Sequence, residues 1–154
     1  MKSKWKVDRV SLDNKPVFEE IDRFCTEAGL PFFLPIMSNL RAQFVMRDSD
    51  GKMGAAGRLE YNFEYPMVEE IAVREDLRGS GLGTMIVSAI LDEAKKEGIK
   101  TIWVMAREPE FFGTLGFKPT TEKKLLSMLK EECAVCRDHI KKCNPVLMKK
   151  ELSP

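Results

Sequence analysis

A glycine-rich turn in the middle of the chain limits the possible folds more than any other feature. Residues 78–84 read Arg-Gly-Ser-Gly-Leu-Gly-Thr, between a predicted strand at 67–73 and a long amphipathic helix. Gly98 ends that helix, and a predicted buried strand at 101–106 follows. Strand, helix and strand in this order form a right-handed βαβ unit, so the two strands are predicted to be parallel neighbours.

The turn has the chemistry of a phosphate-binding site. The start of a helix presents unpaired N–H groups and a partial positive charge. Glycines just before it let a ligand approach the backbone, and a pyrophosphate fits several successive N–H groups. Arg78 is expected to add a mobile positive charge. The alternative is a tight turn without a ligand, which leaves the entropic cost of three close glycines unexplained.

Two common nucleotide-binding motifs do not fit this turn. The phosphate loop of nucleotide hydrolases needs a Lys-Ser/Thr pair after its last glycine, and that pair is absent here. The dinucleotide fingerprint needs Gly-x-Gly-x-x-Gly near the start of the fold. In this chain the glycines stand at 79, 81 and 83, halfway along the sequence.

Hydrophobic periodicity predicts the other elements of the chain. Gly29 is expected to end the first helix, and an Asp50-Gly51 turn to join two strands of a hairpin. The predicted strands are 4–12, 42–47, 53–61 and 146–152, with a loop at 62–66. The predicted helices are 16–28, a short second one ending at 40, and 125–142.

Composition narrows the class of protein. The chain has 154 residues, 44% of them apolar, and 25 Lys+Arg against 24 Asp+Glu give a net charge of +1. This balance argues against a nucleic-acid-binding surface, and no apolar run reaches the roughly 18–20 residues of a membrane helix. We therefore expect a single domain over residues 1–154 that is cytoplasmic, with no nucleic-acid or membrane partner.

Two ordered motifs resemble those of the GNAT N-acetyltransferases. Arg-x-x-Gly-x-Gly at 78–83, after Glu-Ile-Ala-Val at 70–73, is similar to the acetyl-CoA signature of that family. The segment at 105–117, which ends in Leu-Gly-Phe, is similar to a second family motif. The resemblance spans 42–117 and implies an α+β fold. That fold is a three-layer α/β/α arrangement whose mixed, mostly antiparallel sheet has a central, splayed parallel strand pair.

The resemblance also implies where acetyl-CoA binds. Backbone groups of Ile71, Ala72 and Val73 are expected to bond the pantetheine arm between the splayed strands, with one N–H near the thioester oxygen. Phe111 and Phe112 are expected to pack, one of them against the same arm. The pyrophosphate is expected to lie on the glycine turn, which consists of Arg78, Gly79, Ser80, Gly81, Leu82, Gly83 and Thr84.

The acceptor amine must lose a proton before it attacks, and a general base assists this step. We expect Glu69 to be that base, directly or through water. Alternation along the strand predicts Glu69 on the same face as Ile71 and Val73, with Glu70 on the other. The alternative is that both glutamates are solvated carboxylates. The acidic position that is commoner in the family is Met67 here.

A second departure from the family concerns the leaving thiolate. Many members have a tyrosine, whose hydroxyl protonates that thiolate, where this chain has Phe112. A thiol with a pKa of about 8.5 is a fair leaving group without an acid. Tyr61 and Tyr65 are candidates to replace it, although packing is their more common role. Phe112 and Met67 modestly favour an alternative, a non-catalytic acyl-CoA-binding sensor or regulatory module.

The resemblance implies direct transfer of an acetyl group to a small-molecule or amino-acid amine in a ternary complex. Within the family, residues 28–31 and 111–117 are most similar to the N-acetylglutamate synthase-like branch, and arsenic-resistance acetyltransferases are also similar. Members often dimerise, so a homodimer is a further expectation. A glutamate acceptor would need cations, and the candidates, each otherwise a solvated residue, are Arg41, Lys52, Arg58 and Arg107.

A cysteine cluster near the carboxyl end suggests a third interpretation, a metal-dependent interaction domain. Cys133, Cys136, His139 and Cys143 supply four soft ligands within eleven residues. A continuous helix over 125–142 would keep all four from reaching one metal. We therefore favour packed or free thiols and predict no metal.

Overall fold

The computed structural model describes residues 5–29, 39–135 and 145–152, and for 130–135 it describes the backbone only. The strands are β1 (Asp8–Val10), β2 (Leu40–Arg47), β3 (Met53–Asn62), β4 (Tyr65–Val73), β5 (Thr101–Ala106), β6 (Lys118–Pro119) and β7 (Val146–Glu151). The helices are α1 (Lys15–Glu27), α2 (Leu82–Lys96), α3 (Pro109–Thr114) and α4 (Lys123–Val135). No helix within these ranges is long and apolar enough to cross a membrane.

The strands form one seven-stranded sheet in the order β1-β2-β3-β4-β5-β7-β6. Every neighbouring pair is antiparallel except β4 and β5, which are parallel. The helix α2 connects these two strands, as the βαβ pattern predicts. The predicted mixed, mostly antiparallel sheet with a central parallel pair is confirmed.

Helices cover both faces of the sheet. On one face, α2 and α3 enclose a core that includes Ile86 and Phe112. On the other face, α1 packs through Ile21 and Cys25, and α4 packs through Leu125. This arrangement confirms the predicted three-layer α/β/α fold.

The ends of α1 follow local sequence rules. The Asn14 side chain accepts a hydrogen bond from the Val17 N–H at 3.3 Å, and Pro16 occupies the first turn, where no helical N–H bond is lost. Gly29 follows the helix in the left-handed region with φ +83°, a conformation that glycine adopts without strain. The observed helix therefore matches the predicted 16–28 to within one residue at each end.

Other predicted boundaries differ from the structure in informative ways. The strand predicted at 101–106 has those bounds, whereas the first strand is limited to Asp8–Val10. The predicted loop at 62–66 is shorter in the structure, where β3 extends to Asn62 and β4 begins at Tyr65. The short second helix predicted to end at 40 lies outside the described residues, apart from its last two positions, where β2 begins at Leu40.

Candidate active site

The parallel strands β4 and β5 are paired only near their start. Their register joins Met67 to Trp103 and Val68 to Val104. Beyond this point β4 stays paired with β3, while β5 pairs along its whole length with β7. A gap therefore opens between the two strands, and we call residues 69–73 the splayed half of β4. The predicted splayed pair is confirmed.

A β-bulge marks the start of the splayed half. The pairing of β4 with β3 passes from Glu69–Arg58 to Ala72–Ala56, so β4 has one residue more than β3 between these pairs. Glu70, within the bulge, has φ +54°. A non-glycine residue pays about 1–2 kcal/mol for this left-handed conformation. Such strain persists where surrounding contacts fix the backbone, and it is often found at functional sites.

The bulge changes the face on which the predicted base lies. Ile71 and Val73 pack against the core on the α2 side of the sheet. Glu69 lies on the opposite side, where its Oε1 accepts a hydrogen bond of 2.7 Å from Asn62 Nδ2, which also lies 3.2 Å from Met67 Sδ. The prediction that Glu69 shares a face with Ile71 and Val73 is wrong, because the extra residue at the bulge resets the alternation.

A buried ionic cluster lies on the α1 side of the bulge. Arg58 is only 1% exposed, and its Nε donates to Glu60 Oε1 at 3.1 Å. Its Nη2 lies 4.0 Å from Glu70 Oε1. Burial raises the pKa of Glu60, and the neighbouring Arg58 opposes this shift. Sequence reasoning treated Arg58 as a solvated residue or an acceptor cation, and missed its pairing with a carboxylate two positions along the same strand.

The Cys25 thiol lies near this cluster and is fully buried. Burial, and secondarily the nearby Glu70 carboxylate, raise the pKa of Cys25 to about 12. The thiol is therefore protonated at neutral pH and is a poor nucleophile. Its state gives no support to a covalent route through Cys25.

The glycine turn connects the splayed half of β4 to α2. A 3₁₀ turn at Glu75–Leu77 leads to Gly79 and Gly81, whose φ values are +81° and +92°. No side chain caps α2, and its first backbone bond runs from Met85 N to Gly81 O at 3.1 Å. The N–H groups of the first turn therefore precede the helical ladder. A Cβ at Gly79 or Gly81 would meet no atom within 4 Å, so open space adjoins the N–H groups that a diphosphate would need.

The other predicted residues of the turn have distinct environments. The exposed Arg78 side chain donates from Nη2 to the Ala28 carbonyl at 3.1 Å, which connects the turn to the end of α1. The Ser80 hydroxyl donates to a backbone carbonyl of the preceding turn. Leu82 is buried in the core and Thr84 is exposed. The Leu82 side chain therefore anchors α2, and its backbone N–H is the group that can face a ligand.

The two adjacent phenylalanines of α3 have different roles. A Cβ at Gly83 would lie 3.3 Å from Phe111 Cζ and 3.7 Å from Val73 Cγ2, so Phe111 lies beside both the glycine turn and the splayed half of β4. Phe112 is 6% exposed and packs edge-on against Phe111 and Phe117, with ring centroids 5.0 and 5.4 Å away. Phe111 is thus the residue placed beside the cleft, and Phe112 belongs to the core.

The two tyrosines considered as acids both pack against other side chains. The Arg41 guanidinium lies 5.1 Å from the Tyr61 ring centroid. Tyr65 packs edge-on against Trp103 at 5.2 Å, and burial raises the pKa of the Tyr65 hydroxyl. Arg41 also approaches Glu97 at 3.8 Å, so it already has partners outside the cleft. These contacts agree with the packing role that the sequence favoured.

Most of the cysteine cluster near the carboxyl end lies outside the described residues. Cys136, His139 and Cys143 lie outside the described residues, as does the side chain of Cys133. The helix predicted at 125–142 corresponds to α4 up to Val135, and its remainder is also outside them. Within 5–29, 39–135 and 145–152, no group of three or more His, Cys, Asp or Glu side chains is placed to hold a metal ion.

Comparison with solved structures shows the same fold in known proteins. N-acetylglutamate synthase from Neisseria gonorrhoeae, in complex with coenzyme A and N-acetyl-glutamate, is 16% identical with a TM-score of 0.71. The alignment covers 100% of this chain but only 36% of the synthase chain. The ribosomal-protein-S18-alanine N-acetyltransferase from Escherichia coli is 16% identical with a TM-score of 0.66, over 97% of this chain and 95% of that one.

Sequence comparison identifies the family. An uncharacterized N-acetyltransferase, CT2212, from Chlorobaculum tepidum is 22% identical over 117 residues, which are 76% of this chain and 75% of the relative. The model of the acetyltransferase (GNAT) family matches residues 12–117, which include the glycine turn and both splayed strands. This match confirms the resemblance to the GNAT family, the predicted class of enzyme and acetyl-CoA as its cosubstrate, whereas the N-acetylglutamate synthase-like branch stays a prediction. The chain belongs to the GNAT acetyltransferase family.

Proposed function

We propose that this chain transfers the acetyl group of acetyl-CoA directly to the amine of a small molecule or amino acid, as one domain over residues 1–154. The observation that carries this proposal is the continuity of the cleft. The splayed half of β4 leads through one 3₁₀ turn into the glycine turn, so sites for a thioester and a diphosphate follow each other along 69–84.

Different residues bind acetyl-CoA and stabilise the charge that develops on its carbonyl oxygen. Backbone groups of Ile71, Ala72 and Val73 hold the pantetheine arm, because this half of β4 has no partner in β5. The N–H groups at the start of α2 hold the diphosphate, and the Phe111 ring packs against the arm. Acetyl-CoA supplies an activated acetyl thioester. One β4 amide stabilises the charge that develops on its carbonyl oxygen, an effect of about 3 kcal/mol in comparable sites.

Glu69 is the proposed general base for the acceptor amine. It directly precedes the bulge, and the hydrogen bond from Asn62 fixes the position of its carboxylate. Because Ile71 and Val73 face the α2 side, Glu69 approaches the cleft from the α1 side of the sheet. We infer that the acceptor amine enters from that side and gives its proton to Glu69 directly or through water.

The acceptor is proposed to be an amino acid, as in the N-acetylglutamate synthase-like branch. Similarity of the two motif segments at 28–31 and 111–117 supports this assignment. The likeness to the Neisseria synthase supports the fold, which many other acetyltransferases share. A homodimer and a cytoplasmic location complete the proposal. The homodimer rests on the family resemblance, and the location rests on the composition of the chain.

The test measures the release of free thiol from acetyl-CoA when each member of a panel of amino acids and small amines is added as acceptor. We expect the wild type to release coenzyme A with at least one acceptor. Glu69→Gln should lower turnover about 10²–10⁴-fold while coenzyme A affinity stays unchanged, because only proton transfer is lost. Glu19→Gln, an exposed carboxylate on α1, is the matched control and should leave turnover unchanged. Unaltered release in Glu69→Gln would exclude Glu69 as the base.

A second candidate is a non-catalytic acyl-CoA-binding module. The position of Phe112 favours it, since this ring is buried in the core and has no hydroxyl to protonate a leaving thiolate. This candidate predicts tight binding of acetyl-CoA and no thiol release with any amine of the panel. Turnover above the uncatalysed rate with a single acceptor would eliminate it.

A further inference from the structure

Arg58 connects the β4 bulge to the neighbouring strand β3. Its side chain is 2% exposed, its Nε donates to Glu60 Oε1 at 3.1 Å, and its Nη2 lies 4.0 Å from Glu70 Oε1. Glu60 pairs in register with Met67, before the bulge, whereas Glu70 is the left-handed residue within it. One buried guanidinium group therefore interacts with Glu60, which pairs with β4 just before the bulge, and with Glu70 inside the bulge.

The opposite face of the bulge is fixed by apolar packing. A Cβ added to Gly57, the β3 residue opposite the bulge, would collide with Ile71 Cδ1 and Ile86 Cγ2. Ile71 therefore packs tightly over the β3 backbone on the α2 side. The left-handed backbone at Glu70 is held between this apolar contact and the ionic contact to Arg58.

We propose that Arg58 is a positioning residue for acetyl transfer, which holds the bulge through Glu60 and Glu70 and so keeps the cleft-facing backbone groups of residues 71–73 in place. The proposal rests on the proposed function, because those backbone groups are the ones assigned to the cosubstrate. Arg58 itself touches no reacting atom in this role.

The preferences of amino acids for the left-handed region provide a direct test. Glycine adopts a positive φ without strain, whereas alanine is strained there as much as glutamate, because both have a Cβ. Glu70→Gly and Glu70→Ala both remove the carboxylate that Arg58 holds. They differ in whether the backbone at residue 70 keeps its conformation without that contact.

The experiment measures kcat and the KM for acetyl-CoA in four variants. Glu70→Ala and Arg58→Met are expected to lower kcat/KM for acetyl-CoA by about 10–100-fold, because the displaced backbone groups both bind the pantetheine arm and stabilise the developing charge. Glu70→Gly should retain kcat/KM, and adding Glu70→Gly to Arg58→Met should restore it. Equal losses in Glu70→Gly and Glu70→Ala, or a double variant as slow as Arg58→Met, would overturn the proposal.

Amide hydrogen exchange at residues 69–73 gives a readout that does not depend on activity. We expect faster exchange in Arg58→Met and Glu70→Ala, and near wild-type exchange in Glu70→Gly and in the double variant. Unchanged exchange in Arg58→Met contradicts the role of Arg58. An inactive wild type contradicts the proposed function instead and leaves the exchange comparison valid.

A matched control lies at the other described non-glycine residue with positive φ. Phe63 has φ +58° in the β3–β4 turn and is 62% exposed. Phe63→Ala and Phe63→Gly should change neither kcat/KM nor exchange at 69–73. An effect as large as that of Glu70→Ala would show that a change in the turn before β4 disturbs the cleft equally, and so would contradict the specific role of Arg58. If Arg58→Met does not fold, the Glu70→Ala and Glu70→Gly pair decides the question.

Discussion

The two halves of β4 belong to one strand, yet different contacts hold them. Residues 65–68 lie between β3 and β5, and Met67 and Val68 are almost fully buried. Residues 69–73 pair with β3 alone and contain the bulge at Glu70. The cleft therefore lies where β4 stays paired with β3 but is no longer paired with β5.

The largest expected effect comes from a substitution in the paired half of β4, residues 65–68. Met67 is fully buried beneath α4, so Met67→Ala should lower the free energy of unfolding by about 2–5 kcal/mol. Coenzyme A affinity of the folded protein should stay unchanged, because Met67 lies before the splay. Urea denaturation and calorimetric titration measure the two quantities. A loss of affinity with stability intact would mean that the two halves are not separable.

The next effect compares two left-handed glycines at opposite ends of α2. Gly81 and Gly98 have φ values of +92° and +77°, and a Cβ on either would meet no atom within 4 Å. Alanine at each position should therefore cost about 1–2 kcal/mol of strain. Only Gly81→Ala should also weaken coenzyme A binding, by about tenfold for each 1.4 kcal/mol lost from the bound state. Equal coenzyme A affinities of the two variants would contradict the binding of the diphosphate at the glycine turn.

The buried thiol beneath the splayed half predicts a pH dependence. The pKa of Cys25 is raised from 9.0 to about 12, so the folded chain binds the thiol proton more tightly than the unfolded chain. This contribution to stability is complete below pH 9.0 and is lost as the pH rises towards 12. Between about pH 7 and 10, wild type should lose roughly 1.4 kcal/mol more stability than Cys25→Ala. Parallel curves for the two proteins would contradict the burial of this thiol.

The smallest expected effect concerns the exposed turn before the paired half. At Phe63, glycine removes the left-handed strain but adds entropy to the unfolded chain, so Phe63→Gly should raise stability by less than about 1 kcal/mol. Thermal unfolding measures this change. A clear loss of stability would show that the Phe63 ring makes contacts that its exposure does not suggest.

Local patterns were sufficient to predict the parts of the site that local forces form. The glycine turn, the helix that follows it and the strand Thr101–Ala106 all match the sequence prediction, because glycine spacing and hydrophobic periodicity determine them. The pattern could not distinguish Phe111 from Phe112, since adjacent residues of a short helix differ only in what they pack against. In the structure the Phe117 ring packs edge-on against Phe112.

The bulge was missed for a different reason. Nothing in the Glu69-Glu70 dipeptide indicates a positive φ, and simple alternation placed Glu69 on the wrong face. The irregularity arises where Ala56 and Arg58 of β3 pair with β4, contacts that are distant in sequence. The alternation of Arg58 and Glu60 within an apolar strand was the one signal that could have indicated a buried ion pair.

The most direct test follows backbone amide resonances while coenzyme A is added to the wild-type protein. If the cleft and the glycine turn bind the cosubstrate, the large shifts will fall at residues 71–73 and 79–84, and Met67 and Val68 will move little. A spectrum without changes at those two segments, or with equal changes in both halves of β4, would contradict the assignment of this site.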